Sequence, residues 1–300
     1  MQTESVKNCP VCKCAEFFNV LHCKDHTYSH EKFAIQECKN CHLFLTSPRP
    51  DEDSIGNFYS SDEYISHTGR STSIFDKLYI WVRSFTLKWK RDLIQSRKTV
   101  GALLDYGCGT GEFVSTMIKA NWDAYGIEPA APARQKAIEL INLENKVIFG
   151  TPAELPSRKY DLITLWHVLE HVPNPNELLS TLKSMLQDGG LIFVAVPNHE
   201  SFDAEYYQEH WAAYDLPRHF WHFSSSNMAQ LLNQNGLKLK QTIPMKLDAF
   251  YVSLLSEKYK NDGKHTLLTP AKALLTGIRS NAKARKTNNY SSLIYIASHA

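Results

Sequence analysis

A short apolar run that ends in three glycines at alternate positions constrains this chain more than any other stretch. Ala102–Leu104 reads as a buried strand and leads into Asp105-Tyr106-Gly107-Cys108-Gly109-Thr110-Gly111. Phe113, Val114, Met117 and Ile118 then recur on one face of a helix. A strand, a glycine turn and a helix in that order gather free backbone amides at a helix N-terminus, where a ligand can be held. The glycines tolerate positive φ and let that ligand lie against bare backbone. The pattern D-x-G-x-G-x-G is not the dinucleotide fingerprint, which would need glycine where Glu112 or Val114 stands.

From residue 100 onward strands and helices alternate, which predicts a parallel sheet with helices on both faces. Predicted strands follow at 124–127, 147–149, 160–165 and 191–196, with two more at 237–243 and 292–297. The second ends at Glu128-Pro129. A carboxylate about 20 residues beyond a glycine loop, at the end of the neighbouring strand, can accept both ribose hydroxyls of a nucleoside. The fourth runs into Trp166-His167-Val168-Leu169-Glu170-His171-Val172-Pro173.

In this order and spacing, residues 100–198 resemble the class I S-adenosylmethionine-dependent methyltransferases, with 105–111 as their motif I. The resemblance implies an α/β, Rossmann-like, mostly parallel seven-stranded sheet whose last strand lies antiparallel between the fifth and sixth. It also implies that Asp105, Tyr106, Gly107, Cys108, Gly109 and Gly111, with Glu128 and Pro129, hold S-adenosylmethionine, and S-adenosylhomocysteine as product. Ala153 and Glu154 would meet the adenine, although Thr151 and Pro152 stand where the family often has an acid directly after strand three. Trp166 and His167, after strand four, would also contact the cofactor.

Six of the seven cysteines fall within the first 41 residues. Cys9-Pro-Val-Cys12 and Cys38-Lys-Asn-Cys41 are two C-x2-C knuckles 25 residues apart, a spacing suited to a closed four-thiolate zinc site. Short strands at 17–21 and 32–37 would complete a zinc ribbon, with Cys14, Cys23, His22, His26 and His42 as bystanders or substitutes. Such a zinc ion is structural, folding a segment too small to bury its own core.

The predicted organisation is a ribbon-like segment over 1–50, a helical linker and cofactor-site cover over 51–99, and a methyltransferase domain over 100–300. The linker carries Phe58, Tyr59, Tyr64 and His67, then an apolar stripe from Ile74 to Ile94. With 43% hydrophobic and 21% charged residues and a net charge of +2, the chain has the composition of a soluble globular protein and not that of an overtly basic nucleic-acid binder. No positively charged leader precedes an apolar segment, and no apolar run reaches the roughly 18 to 20 residues of a membrane span, so the expected location is cytoplasmic.

An acceptor hydroxyl or acidic carbon must lose a proton, which calls for a base tuned near neutral pH. His219, within the aromatic stretch 206–224 that reads as an acceptor-binding loop, and His167 are the candidates. Between the last two strands lies an insertion at about 244–290. Residues 238–286 carry eleven Lys or Arg against three acids, and Ala273, Leu274, Leu275 and Ile278 suggest an amphipathic helix that either covers the sheet or forms a basic flap. A four-cysteine segment before a class I domain also resembles, in part, the sugar C-methyltransferases, so the expected acceptor is a small, anionic or sugar-like molecule, a sugar or nucleotide-sugar methylated on O or C. The alternatives are ribosomal RNA (nucleic acid being the less favoured partner), a quinone or lipid hydroxyl, and a non-catalytic S-adenosylmethionine-binding protein.

Overall fold

A computed structural model of the chain describes residues 2–59, 74–142, 146–264 and 266–300, the side chains of 74–82 excepted. Tyr64 and His67 lie outside the described residues. The N-terminal segment supplies β1 (Thr3–Glu4), β2 (Phe17–Lys24), β3 (Lys32–Cys38), β4 (Phe44–Thr46) and β5 (Arg49–Pro50). β2 and β3 pair as an antiparallel hairpin, and β4 adds to β3.

The central sheet contains β6 (Ala102–Tyr106), β7 (Asp123–Ile127), β8 (Ile148–Phe149), β9 (Tyr160–Trp166), β10 (Leu186–Pro197), β12 (Leu237–Pro244) and β13 (Ser292–His299) in the order β12-β13-β10-β9-β6-β7-β8. β6 through β10 run parallel. β13 is antiparallel to both of its neighbours, the arrangement the family resemblance implied. The inner strands β6, β9 and β13 are nearly continuous buried runs because both faces are covered, while the edge strand β12 is largely exposed. Leu104, Ile163 and Val194 face one core, while Leu103, Leu162 and Phe193 face the other. β10 begins five residues before the predicted Leu191, across a register shift between Leu186 and Leu191.

The ribbon hairpin is built into this body. β11 (Trp221–His222), from the segment after β10, pairs antiparallel with β4 and completes a four-stranded sheet. Cys9, Val11, Cys38, Leu43 and Leu45 share one core with Leu104 and Val194. Thr46 Oγ1 donates to the His219 carbonyl at 2.6 Å and lies 3.1 Å from His222 Nε2. The helix Ile74–Gln95 has the predicted extent; of its described side chains Ile94 is buried in the second core, beside Trp89 and Leu93, while Phe85 is exposed.

The insertion forms two helices, Asp248–Lys260 and Thr269–Thr287. The second departs from the expected orientation. Its inward face is Thr269, Ala273, Thr276, Gly277, Ser280 and Ala284, whereas Leu274, Leu275 and Ile278 are exposed. Small residues let two helices approach closely. A Cβ on Gly277 would lie 2.5 Å from the Phe250 ring. The buried carboxylate of Asp203 ties this helix down: it accepts from Ser280 Oγ (2.7 Å), Ser291 Oγ (2.6 Å) and Trp211 Nε1 (2.9 Å). Asp203→Ala strands three buried donors and is expected to cost about 3 kcal/mol in denaturant unfolding. A loss under about 1 kcal/mol would remove Asp203 from that role.

Candidate active site

The glycine loop has the geometry its sequence requires. Gly107, Gly109 and Gly111 take φ of 71°, 55° and 81°. The Gly107 and Cys108 amides bond to the Ile127 carbonyl at 2.8 and 2.9 Å, holding the loop against β7. The three glycines are needed for different reasons. A Cβ on Gly107 would meet Val168 Cγ2 at 2.6 Å, and one on Gly111 would meet Ala137 Cβ at 2.8 Å. One on Gly109 would meet nothing within 4 Å, so this glycine keeps space open outside the protein's own packing.

Glu128 stands beside that opening. Its Oε2 accepts from the Gly109 amide at 2.8 Å and its Oε1 from the Ala130 amide at 2.9 Å, leaving carboxylate lone pairs for a diol. Burial raises its pKa, partly countered by those two amides. Arg134 bonds the carbonyls of Glu128 and Pro129 at 2.7 and 2.8 Å, fixing the strand end. Ala153 and Glu154 lie on an exposed turn, Pro152–Glu154, where Glu154 Oε2 receives Lys146 Nζ at 2.8 Å.

Asp105 is 2% exposed and accepts from Thr164 Oγ1 at 2.6 Å. Burial pushes its carboxyl up to about 7, with the Thr164 hydrogen bond and the Lys90 charge pulling the other way. A carboxylate held in that state gains from a cationic ligand, whose charge would restore its ionisation. Tyr106 continues the strand half-buried and Cys108 is buried in the loop. Arg83, on the helix Ile74–Gln95, donates to Glu112 at the start of the glycine-loop helix.

Farther along the carboxyl edge lies a line of charges. His167, at φ 57°, sits between two carboxylates: Nε2 is 3.2 Å from Asp248 Oδ2 and Nδ1 is 3.4 Å from Glu170 Oε1. Burial lowers an imidazole, but the two acids more than offset it and push His167 up to about 9. Lys90 Nζ lies 4.2 Å from the centre of the Trp166 ring. Burial brings it down to about 8, against the pull of Asp248 and Asp105. Trp166 also packs edge-on against Phe113.

His219 is 7% exposed, its Nδ1 2.8 Å from the Ala213 carbonyl and its ring edge-on to His171 at 4.4 Å. Burial takes its pKa well below the usual imidazole value, as does the neighbouring His171. Glu170, His171 and His219 place one donor atom each within 4.8 Å of one another, a second cluster able to hold a metal. The aromatic stretch around His219 differs from an open acceptor loop. Tyr207, Trp211, Tyr214, Phe220 and Trp221 are all buried and pack beneath the ribbon and the insertion. Asp248 and Lys90 escaped the sequence reading. A lone acid 81 residues beyond His167 carries no local signal.

Cys9, Cys12, Cys38 and Cys41 place their sulfurs within 4.8 Å of one another. Cys9 Sγ is 3.5 Å from Cys41 Sγ, and Cys12 Sγ is 3.4 Å from Cys38 Sγ. Tetrahedral zinc at the usual bond length separates its sulfurs by about 3.8 Å, so the four residues fit the ion with little movement. Cys14 bonds locally to Glu16, and Cys23 is buried against the second half of the chain.

An amide-lined glycine turn with Glu128 and the buried Asp105 beside it, on a sheet of this strand order, is the architecture of a class I S-adenosylmethionine-dependent methyltransferase. A family model described as a methyltransferase domain matches residues 81–242, more than half of the chain, and the chain belongs to that family. Similar proteins include the ubiquinone biosynthesis O-methyltransferase of Shewanella halifaxensis, 34% identical over 102 residues, 32% of this chain and 43% of that protein. The enzyme of the same name from Acinetobacter baylyi is 28% identical over 151 residues, 46% of this chain and 63% of that protein. The chain thus spans about half the length of the curated relatives it matches. Among solved structures, the magnesium protoporphyrin IX methyltransferase of Synechocystis PCC 6803 with bound S-adenosylhomocysteine shares the fold. Its TM-score is 0.54 at 14% identity, over 83% of this chain and 100% of that one.

Proposed function

We propose that this enzyme methylates a hydroxyl oxygen of a small acceptor, with His167 and Asp248 as the groups that meet it. The observation that carries the reading is the Asp248–His167–Glu170 line, which lies beyond Trp166 on the edge where the cofactor groove opens. Methyl transfer from a sulfonium is an in-line displacement, so holding oxygen, carbon and sulfur in line supplies much of the acceleration. The imidazolium, 3.2 Å away, orients the Asp248 side chain, and its carboxylate accepts the hydroxyl hydrogen as the oxygen attacks. The proton ends on Asp248 and leaves to water. Lys90 and His167 give the site a positive character that suits an acidic hydroxyl or an anionic substituent. An acidic hydroxyl agrees with the similarity to ubiquinone O-methyltransferases, and an anionic substituent with a nucleotide-linked sugar. In this reading His219 is a positioning residue. It keeps the 213–219 loop against His171, and Glu128, Gly109 and Asp105 bind the cofactor.

Asp248→Asn is expected to lower kcat about 100-fold while leaving cofactor affinity within about threefold. Radiolabel transfer from S-adenosylmethionine to a panel of phenolic and sugar hydroxyls measures it, and undiminished turnover would move the proton acceptor elsewhere. The pH dependence has a definite sign. A histidine whose folded pKa is raised to about 9 contributes stability fully present below its unfolded value of 6.5 and lost as pH rises through the folded value. Activity should therefore fall on the alkaline limb near pH 9 as the imidazolium is lost.

We further propose that the four cysteines hold one structural zinc ion. When bound, the ion supplies a tetrahedral cross-link between the knuckles and no acceptor chemistry.

A further inference from the structure

The helix Thr269–Thr287 is inside out. Its buried face is made of small residues, and its large aliphatic side chains point to solvent: Leu274 is 55% exposed, Leu275 48% and Ile278 51%. The turn before it adds Leu268 at 62% and Leu267, fully exposed. At 100° per residue, Leu274, Leu275 and Ile278 fall within one sector opposite the buried face. Solvated helices of a monomer rarely carry such a stripe, and a contiguous exposed apolar patch marks an interaction surface. The same helix bears Lys272, Arg279, Lys283, Arg285 and Lys286 and no acid.

We propose that this face docks the enzyme onto an anionic lipid surface. An apolar ridge flanked by cations lies in the plane of a membrane, its aliphatic side chains in the acyl boundary and its Lys and Arg at the headgroups. Charge selects this occupant over the others. A second copy docking through the same face would bring cations against cations. Single-stranded nucleic acid is held on stacking aromatics, and this ridge is aliphatic. Peripheral docking is compatible with the absence, among the described residues, of any helix long and apolar enough to cross a membrane.

The position matters as well as the composition. The docking helix packs on Asp248–Lys260, whose first residue reaches His167, and Asn281 Nδ2 bonds the Lys246 carbonyl at 2.9 Å. The surface therefore backs the acceptor side of the site, where an amphiphilic acceptor could pass from the bilayer. This last step rests on the function proposed above; the docking itself does not.

Co-sedimentation of the full chain, without cofactor, with vesicles of phosphatidylcholine containing about 30% phosphatidylglycerol tests the docking alone. Binding is expected, weakening in raised salt and on pure phosphatidylcholine. Leu274→Asp/Ile278→Asp and Lys272→Glu/Arg279→Glu should each lower it at least about tenfold, with thermal unfolding unchanged because the positions are exposed. An unbound wild-type protein overturns the proposal. So does a wild-type dimer by light scattering that the Asp pair converts to monomer, or RNA binding that the Glu pair removes while vesicle binding persists. Vesicle binding with no methylation of any hydroxylated amphiphile would leave the docking standing and count against the acceptor reading instead.

Discussion

Cys38→Ser is expected to abolish binding of the zinc ion proposed for the four thiolates and to lower thermal stability by far more than a buried cysteine-to-serine change alone. Four thiolates around one zinc ion contribute folding free energy directly, about 10 kcal/mol or more in small zinc modules, and three ligands with an oxygen hold the ion much less tightly. Cys38 is fully buried, and its core is continuous with that of the central sheet, so the damage has a path outward. β4 follows the second knuckle and pairs with β11, and the Asn227 side chain bonds the Cys41 carbonyl at 2.8 Å. The 215–222 segment should therefore lose protection in hydrogen exchange along with the ribbon. The glycine loop is held by the Ile127 carbonyl and the Glu128 carboxylate and should retain cofactor. Elemental analysis should give one zinc per wild-type chain and a small fraction of that in the variant. A wild-type protein without metal, or a variant with unchanged melting, would mean that the sulfurs serve some other purpose.

The parts of this architecture that were legible in the sequence are those whose signal is local. The buried strand at Ala102–Leu104, the three glycines and the acid at the end of the next strand all announce themselves within a few residues or in a fixed motif, whereas the split of Leu103 and Leu104 between two cores is seen only in the fold. The order of the last two strands came only from the family resemblance. Other features depend on segments far apart in the chain. A two-residue strand such as Trp221–His222 has no periodicity to detect and exists because β4 offers an open edge. Asp248 becomes a site residue only when its helix folds back to His167. The aromatic stretch 206–224 reads as a binding loop because exposed aromatics often are, but beyond Tyr206 its aromatics are buried beneath the ribbon and the insertion helices. The helix Thr269–Thr287 misleads because Ala273 and Leu274 are adjacent in sequence but a 100° step takes one into the packed face and the other out of it. Its small residues, and not its leucines, do the packing.

Glu128→Ala should weaken binding of S-adenosylhomocysteine by roughly 100-fold or more in a calorimetric titration. In the proposed reading the carboxylate accepts both ribose hydroxyls, and two hydrogen bonds to a charged group contribute about 1.5–3 kcal/mol each. The variant also frees the Gly109 and Ala130 amides, so part of the loss comes from the loop, and a second substitution separates the two effects. Gly109→Val leaves Glu128 in place and adds a side chain where no protein atom lies within 4 Å. Its strain at φ 55° costs about 1–2 kcal/mol of stability, while occupancy of the ligand's space should abolish binding outright. If the loop's opening holds the adenosyl group, both variants lose the cofactor while the fold survives. A Glu128→Ala protein that binds within about threefold of wild type would instead place the ribose away from β7. Retained binding by Gly109→Val would take the ligand off the glycine loop altogether. Only the combination of a lost diol acceptor and a blocked opening, each with the same consequence, ties the cofactor to the turn between β6 and its helix.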